Sequence, residues 1–118
     1  MHVLCYLKFK IPFFEAFEKD ILQVLLERLL VEVYEVGDKI IRKGEIGDRM
    51  FIIFEGEVGV YLTPEVRIAT LGKNKIFGER ALQMQEERNA DVICEKKAII
   101  FTLLKNDYRE TVYHLSVI

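Results

Sequence analysis

All seven glycines of the chain, Gly37, Gly44, Gly47, Gly56, Gly59, Gly72 and Gly78, fall inside one window of the sequence, and none precedes or follows it. Between them run short segments rich in Val, Ile, Phe and Tyr, the residue types that suit a pleated strand. A chain punctuated in this way reverses direction every few residues, so its middle is antiparallel β structure. The spacing predicts strands over 30–36, 39–42, 50–54, 58–62, 67–71, 88–94 and 98–104. Turns are expected at Gly37-Asp38, Gly44 to Asp48, Glu55-Gly56-Glu57 and Thr63-Pro64. About eight strands closing into an antiparallel β-barrel or jelly roll are expected.

The flanks read differently. Apolar residues at Phe13, Phe14, Phe17, Ile21, Leu25, Leu26 and Leu29 fall at helical spacing, with Asp20 and Gln23 set as a capping pair. After Leu104, Asn106 is the expected N-cap of a second helix carrying Tyr108, Val112 and Leu115. The fold class is therefore α+β, a single domain with helical 11–30, barrel 31–104 and a C-terminal helix 105–118. That last helix stops at Ile118 without a cap or polar tail, as expected of a truncated element.

A chain of 118 residues, 51% hydrophobic and 31% charged, has a globular composition. Its net charge of -2 argues against a surface for nucleic acid but not against one small anion in a local positive site. No apolar stretch is long enough for a bilayer, and residues 1–10 lack the apolar run of a signal peptide, so a cytoplasmic location is expected. His2 and His114 are the only histidines, too few for a metal-binding barrel. Cys5 and Cys94 lie far apart and are expected as reduced, partly buried thiols. With no nucleophile–base pair and no metal cluster in the sequence, neither catalysis nor a cofactor is expected.

One stretch, Phe77 to Val92, breaks the strand rhythm. Glu79 to Leu82 can form one helical turn opening just after Gly78, where free N–H groups and the positive end of a small dipole favour an anion. Gly78 lets a ligand approach the backbone closely. Arg88, read as the start of the next strand, can close over the same anion with two donors. Glu79 supplies an acceptor that fits a sugar hydroxyl. Together these describe a pocket for a sugar phosphate.

The run F-G-E-R-A-L, followed after a five-residue loop by R-N-A-D-V, resembles the phosphate-binding cassette of cyclic-nucleotide-binding domains. Upstream, Gly37-Asp38, Lys43-Gly44-Glu45, Gly47-Asp48 and Phe51-Ile52-Ile53 with Glu55-Gly56 match the glycine series of that family. Thr70-Leu71-Gly72-Lys73-Asn74 running into the cassette looks most like the tandem sites of cGMP-dependent protein kinases. The resemblance implies a cyclic-nucleotide site of Gly78, Glu79, Arg80, Ala81, Arg88, Asn89 and Ala90. Arg88 would pair with the cyclic phosphate, Glu79 would accept the ribose 2′-hydroxyl, and amides near Ala81 and Asn89 would bond phosphate oxygens. The ligand would be cGMP or cAMP, with cGMP slightly favoured. The implied partners are a kinase catalytic domain or neighbouring domains of the same kind, with no membrane and no nucleic acid.

Three positions depart from the family pattern. Asn89 follows the pocket arginine where Ala marks most cAMP sites and Thr or Ser most cGMP sites, and its side-chain carbonyl can accept from the guanine amino group. Ala69 stands where the cGMP sites carry an arginine, with Arg67 two residues back on the same face of a regular strand. Asp91 stands where Ser or Thr is common, and facing inward it would weaken anion binding. These departures keep two alternatives open: a degenerate domain serving as an interaction scaffold, and the sensor of a channel or transcription regulator.

Overall fold

A computed structural model describes residues 3–117, without the side chains of residues 3–5, Lys8 and those from His114 onward. His2 and Ile118 lie outside the described residues, as do the side chains of Cys5, His114 and Leu115, so the expectations for them do too. Six strands, β1 (Leu30–Tyr34), β2 (Lys39–Ile41), β3 (Arg49–Thr63), β4 (Val66–Leu71), β5 (Ile76–Phe77) and β6 (Asp91–Leu104), form one antiparallel sheet. Its order is β1-β6-β3-β4, with β2 joined to β6 and β5 to β3.

The sheet is not a closed barrel, and it has six strands where about eight were expected. The count falls because β3 and β6 each absorb two of the expected runs. Glu55-Gly56-Glu57 does not reverse the chain; the pairing with β6 shifts register at three steps between Ile53 and Val58, an irregular bulge with Gly56 at φ +98°. A Cβ on Gly56 would lie 2.4 Å from the Lys97 carbonyl oxygen and 2.5 Å from Ala98 Cα. β6 likewise runs unbroken, because Lys96 stays paired with Glu57. β5, two residues long, is too short to show any periodicity.

The middle of β3 is apolar at consecutive positions because both of its faces are buried. Met50 and Ile52 pack with Leu103 and the helices in one cluster. Phe51 and Ile53 pack with Phe77, Val92, Cys94 and Ile100 in a second. Cys94 is buried with a free thiol, and its Sγ–H donates to the Lys96 carbonyl at 3.0 Å.

The helical layer consists of α1 (Val3–Lys10), a 3₁₀ turn (Pro12–Ala16), α2 (Lys19–Glu27) and α3 (Lys105–Val117). α2 is shorter than the expected 11–30 and follows Glu18 without a side-chain cap; Asp20 lies inside its first turn, where a carboxylate still favours the helix dipole. Asn106 does not cap α3 either, because the helix already includes Lys105, whose N–H donates to the Asp48 carbonyl at 2.8 Å. Phe13, Phe14, Phe17 and Tyr108 form an aromatic cluster between the helices and the sheet, as their spacing implied. Tyr113, further along α3, is exposed under the Arg109 guanidinium. No described helix is long and apolar enough to cross a membrane.

Candidate functional site

The interruption between β5 and β6 holds the expected short helical turn, a 3₁₀ turn over Glu79–Leu82. Gly78 opens it at φ +75°, a left-handed conformation that costs a side-chain-bearing residue about 1–2 kcal/mol. The Ala81 N–H donates to the Gly78 carbonyl at 3.2 Å, and Leu82 is buried in the cluster that contains the helices.

Arg88 lies ahead of β6 rather than on it. Its N–H donates to the Glu45 carbonyl at 2.7 Å, and its carbonyl accepts from Gly44 N–H at 2.8 Å. One step earlier, Gly47 N–H donates to the Glu86 carbonyl at 3.2 Å, and Ile46 bridges Glu87. The strip 86–88 is thereby zippered onto the 44–47 turn, which explains why the Lys-Gly-Glu-Ile-Gly-Asp spacing accompanies the cassette.

This anchoring sends the half-buried Arg88 guanidinium between two glycines. Nη1 donates to the Gly78 carbonyl at 3.3 Å and Nη2 to the Arg49 carbonyl at 2.8 Å. A Cβ on Gly78 would sit 2.8 Å from Nη1, and Gly47 flanks the same group. Among the described residues no carboxylate forms an ion pair with Arg88; Glu86 and Glu87, its sequence neighbours, are not its partners. Burial pushes its guanidinium below the usual arginine range, opposed by the field of Asp48. Asp48 itself is held by Arg49 at 2.9 Å, which keeps its carboxyl below the usual carboxylate range. A half-buried cation resting on carbonyls retains most of its attraction for an anion.

Gly78, Glu79, Arg80, Ala81, Arg88 and Asn89 line one cavity of about 410 Å³, together with Glu86 and Glu87. Ala90 lies in an adjoining hollow of about 170 Å³, walled by Ile41, Val60, Phe77 and Val92, which shares Gly78, Arg88 and Asn89 with the first. A polar compartment thus opens beside an apolar one, with Arg88 at their junction. Glu79 and Asn89 are exposed at the walls, and Arg80 is engaged with Glu86. Ile41, Val60 and Gly47 join these walls without having been expected there. For Gly47 a signal existed in its spacing from Gly44; for the two aliphatics there was none beyond strand alternation.

The three departures resolve differently. Asp91 turns away from the cavity: its Oδ1 accepts from the Lys43 backbone N–H at 2.7 Å and its Oδ2 lies 3.4 Å from Lys39 Nζ. That N–H and the lysine hold its carboxyl below the usual range. Arg67 does not share the face of Ala69. A register shift puts Ala69 opposite Val60 but Arg67 opposite Tyr61, and Arg67 pairs with Glu95, as Tyr61 does. The β-bulge breaks the period of two on which the same-face expectation rested. Asn89 alone of the departing residues lines both hollows.

A family model described as the cyclic nucleotide-binding domain matches residues 31–112, from β1 into α3. The chain belongs to this family. The cyclic-nucleotide-binding domain is 39% identical over 98 residues to a cGMP-dependent protein kinase of Eimeria tenella, covering 83% of the chain and 10% of that relative. It is 34% identical over 110 residues to the cyclic nucleotide-gated channel beta-3 of Mus musculus, covering 89% of the chain and 16% of the channel. The domain therefore spans only a small part of the length of these relatives. A cyclic nucleotide-binding-like protein from Brucella abortus superposes with a TM-score of 0.80 over 92% of this chain and 96% of that one; at 22% identity the likeness is one of fold.

Proposed function

We propose that the domain binds a cyclic nucleotide in the cavity between Gly78 and Asn89, with cGMP slightly favoured over cAMP, and relays binding to its helices. The observation that carries the reading is Arg88: half-buried, free of any carboxylate pair among the described residues, and held between two glycines at a cavity wall. The cyclic phosphate would take the guanidinium in place of one carbonyl, and the Ala81 N–H would turn from Gly78 toward it. Glu79 would accept from the ribose hydroxyl, and the base would lie in the apolar hollow against Val60 and Val92. Asn89, at the mouth, has an amide able to accept from a guanine amino group.

The relay would run through the turn that follows Gly78. Leu82 is packed among helical residues, Gln83 Nε2 donates to the Tyr108 hydroxyl at 3.2 Å, and the first amide of α3 is bonded to Asp48. A ligand that pulls the turn toward Arg88 would thus act on α3 directly, by no more than its difference in affinity for the two arrangements. The kinase relatives favour a role as a module regulating a protein kinase, non-catalytic and cytoplasmic as the sequence implies; the channel relative supports the alternative, the sensor of a channel.

Ligand-induced stabilisation tests this. At roughly a hundredfold excess over Kd, cGMP or cAMP should raise the melting temperature by about 10 °C. Linear 5′-GMP should leave it nearly unmoved. A midpoint insensitive to both cyclic nucleotides, or equally sensitive to 5′-GMP, would contradict the proposal.

A further inference from the structure

Arg80 and Glu86 both line the larger cavity and hold each other over the intervening 81–85 stretch. Arg80 Nε donates to Glu86 Oε1 at 2.6 Å and Nη2 to Oε2 at 3.2 Å. This two-pronged match fixes direction as well as distance. The two ends belong to different parts of the fold. Arg80 sits on the 3₁₀ turn, whose Leu82 is plugged into the helical core and whose next residue, Gln83, reaches Tyr108 of α3. Glu86 begins the strip that is zippered onto the 44–47 turn and ends in Arg88. The ion pair therefore joins the helix-linked half of the segment to the half that carries Arg88.

We propose that the Arg80–Glu86 pair is a clasp: it holds the loop between the 3₁₀ turn and Arg88 in place and so sets how fast a ligand leaves the cavity. The second part of this statement rests on the nucleotide site proposed above. Arg80 is then a positioning residue, acting through Glu86 rather than on the phosphate, because the Nε–Nη2 edge of its guanidinium is turned to that carboxylate. The pair is open to solvent, with side chains 70% and 43% exposed, so salt weakens it. Its work depends on opposite charges at the two positions and survives their exchange.

Hydrogen exchange in the ligand-free chain reads the clasp without any nucleotide. The Gln83 and Met84 amides both donate to the Arg80 carbonyl and report the loop directly. Arg80→Gln and Glu86→Gln should each speed their exchange by about two- to fivefold, the range expected of one exposed ion pair. High salt should do the same to the wild type but not to the variants, and the exchanged pair R80E/E86R should restore slow exchange. Release of a fluorescent cGMP analogue should accelerate by a similar factor in both single variants and recover in the exchanged pair. Exchange unchanged in the single variants, or still fast in R80E/E86R, overturns the clasp. So does an Arg80→Gln that weakens cGMP while Glu86→Gln does not, because Arg80 would then be a direct ligand. If the wild type binds no cyclic nucleotide while its exchange responds as described, the nucleotide reading fails and the clasp on the loop stands.

Discussion

The Arg88 guanidinium passes so close to Gly47 that a Cβ on that glycine would lie 2.7 Å from Arg88 Cζ, and 2.9 Å from Ala81 Cβ. No substituent fits there unless both the arginine and Ala81 shift. The glycine stands forty-one residues ahead of the arginine (88 − 47 = 41), and the zipper of 44–47 onto 86–88 brings them together. Gly47 is thus kept small by the side chain it faces, and its own backbone conformation makes no special demand.

Gly47→Ala bears more on the pocket than on the fold. The methyl meets the movable end of Arg88 but also the Ala81 Cβ, which shifts only with its backbone, so a stability loss of about 1 kcal/mol is expected from overpacking. The guanidinium, displaced from the cavity wall, should bind cyclic nucleotide about tenfold more weakly, a loss of about 1.4 kcal/mol. Paired urea denaturation and calorimetric titration check both halves.

Gly56→Ala should do the reverse. Its new Cβ would strike the backbone of Lys97 and Ala98, which cannot rotate away, and φ at +98° disfavours any side chain. A loss of about 3 kcal/mol of folding stability is expected from strain and overpacking together. A chemical denaturation curve within experimental error of the wild type would mean that the β3 bulge is not built as described.

Much of this was legible in the sequence, and what was not has identifiable causes. The apolar run at 50–54 signalled a strand, and the Phe77–Val92 segment announced itself by breaking the strand rhythm. Glu55-Gly56-Glu57 misled because a glycine that permits a turn equally permits a bulge, and only pairing with Lys96 decides between them. The same ambiguity sent Arg67 to the wrong face, since one inserted residue inverts a period of two. α1 gave no helical pattern before Ile11; its place is set by tertiary contacts, with Leu7 buried and the Tyr6 hydroxyl donating to Asn74 at 2.7 Å.

Asp91 gives a pH signature. Its carboxyl is held low in the folded state by the Lys43 N–H and Lys39, so the stability it contributes is present above its unfolded pKa of about 3.9. That contribution is lost as pH falls through the depressed folded value. Asp91→Asn should therefore be less stable than the wild type at pH 7, and the gap should close as the solution is acidified below pH ~4. Because the carboxylate faces away from the cavity, the substitution should leave cyclic-nucleotide affinity nearly unchanged. Urea midpoints across pH, with one calorimetric titration at neutral pH, test the two statements separately.

Arg88 is proposed to present a half-buried positive charge to a cyclic phosphate, and calorimetric titration of cGMP and cAMP into the intact chain and into Arg88→Ala tests this most directly. Saturable binding of both nucleotides by the intact chain is expected. Arg88→Ala should weaken it by at least about thirtyfold, the effect of removing a charged hydrogen bond of about 2 kcal/mol. No binding of either nucleotide at millimolar concentration, or an Arg88→Ala that binds as tightly as the intact chain, would contradict it.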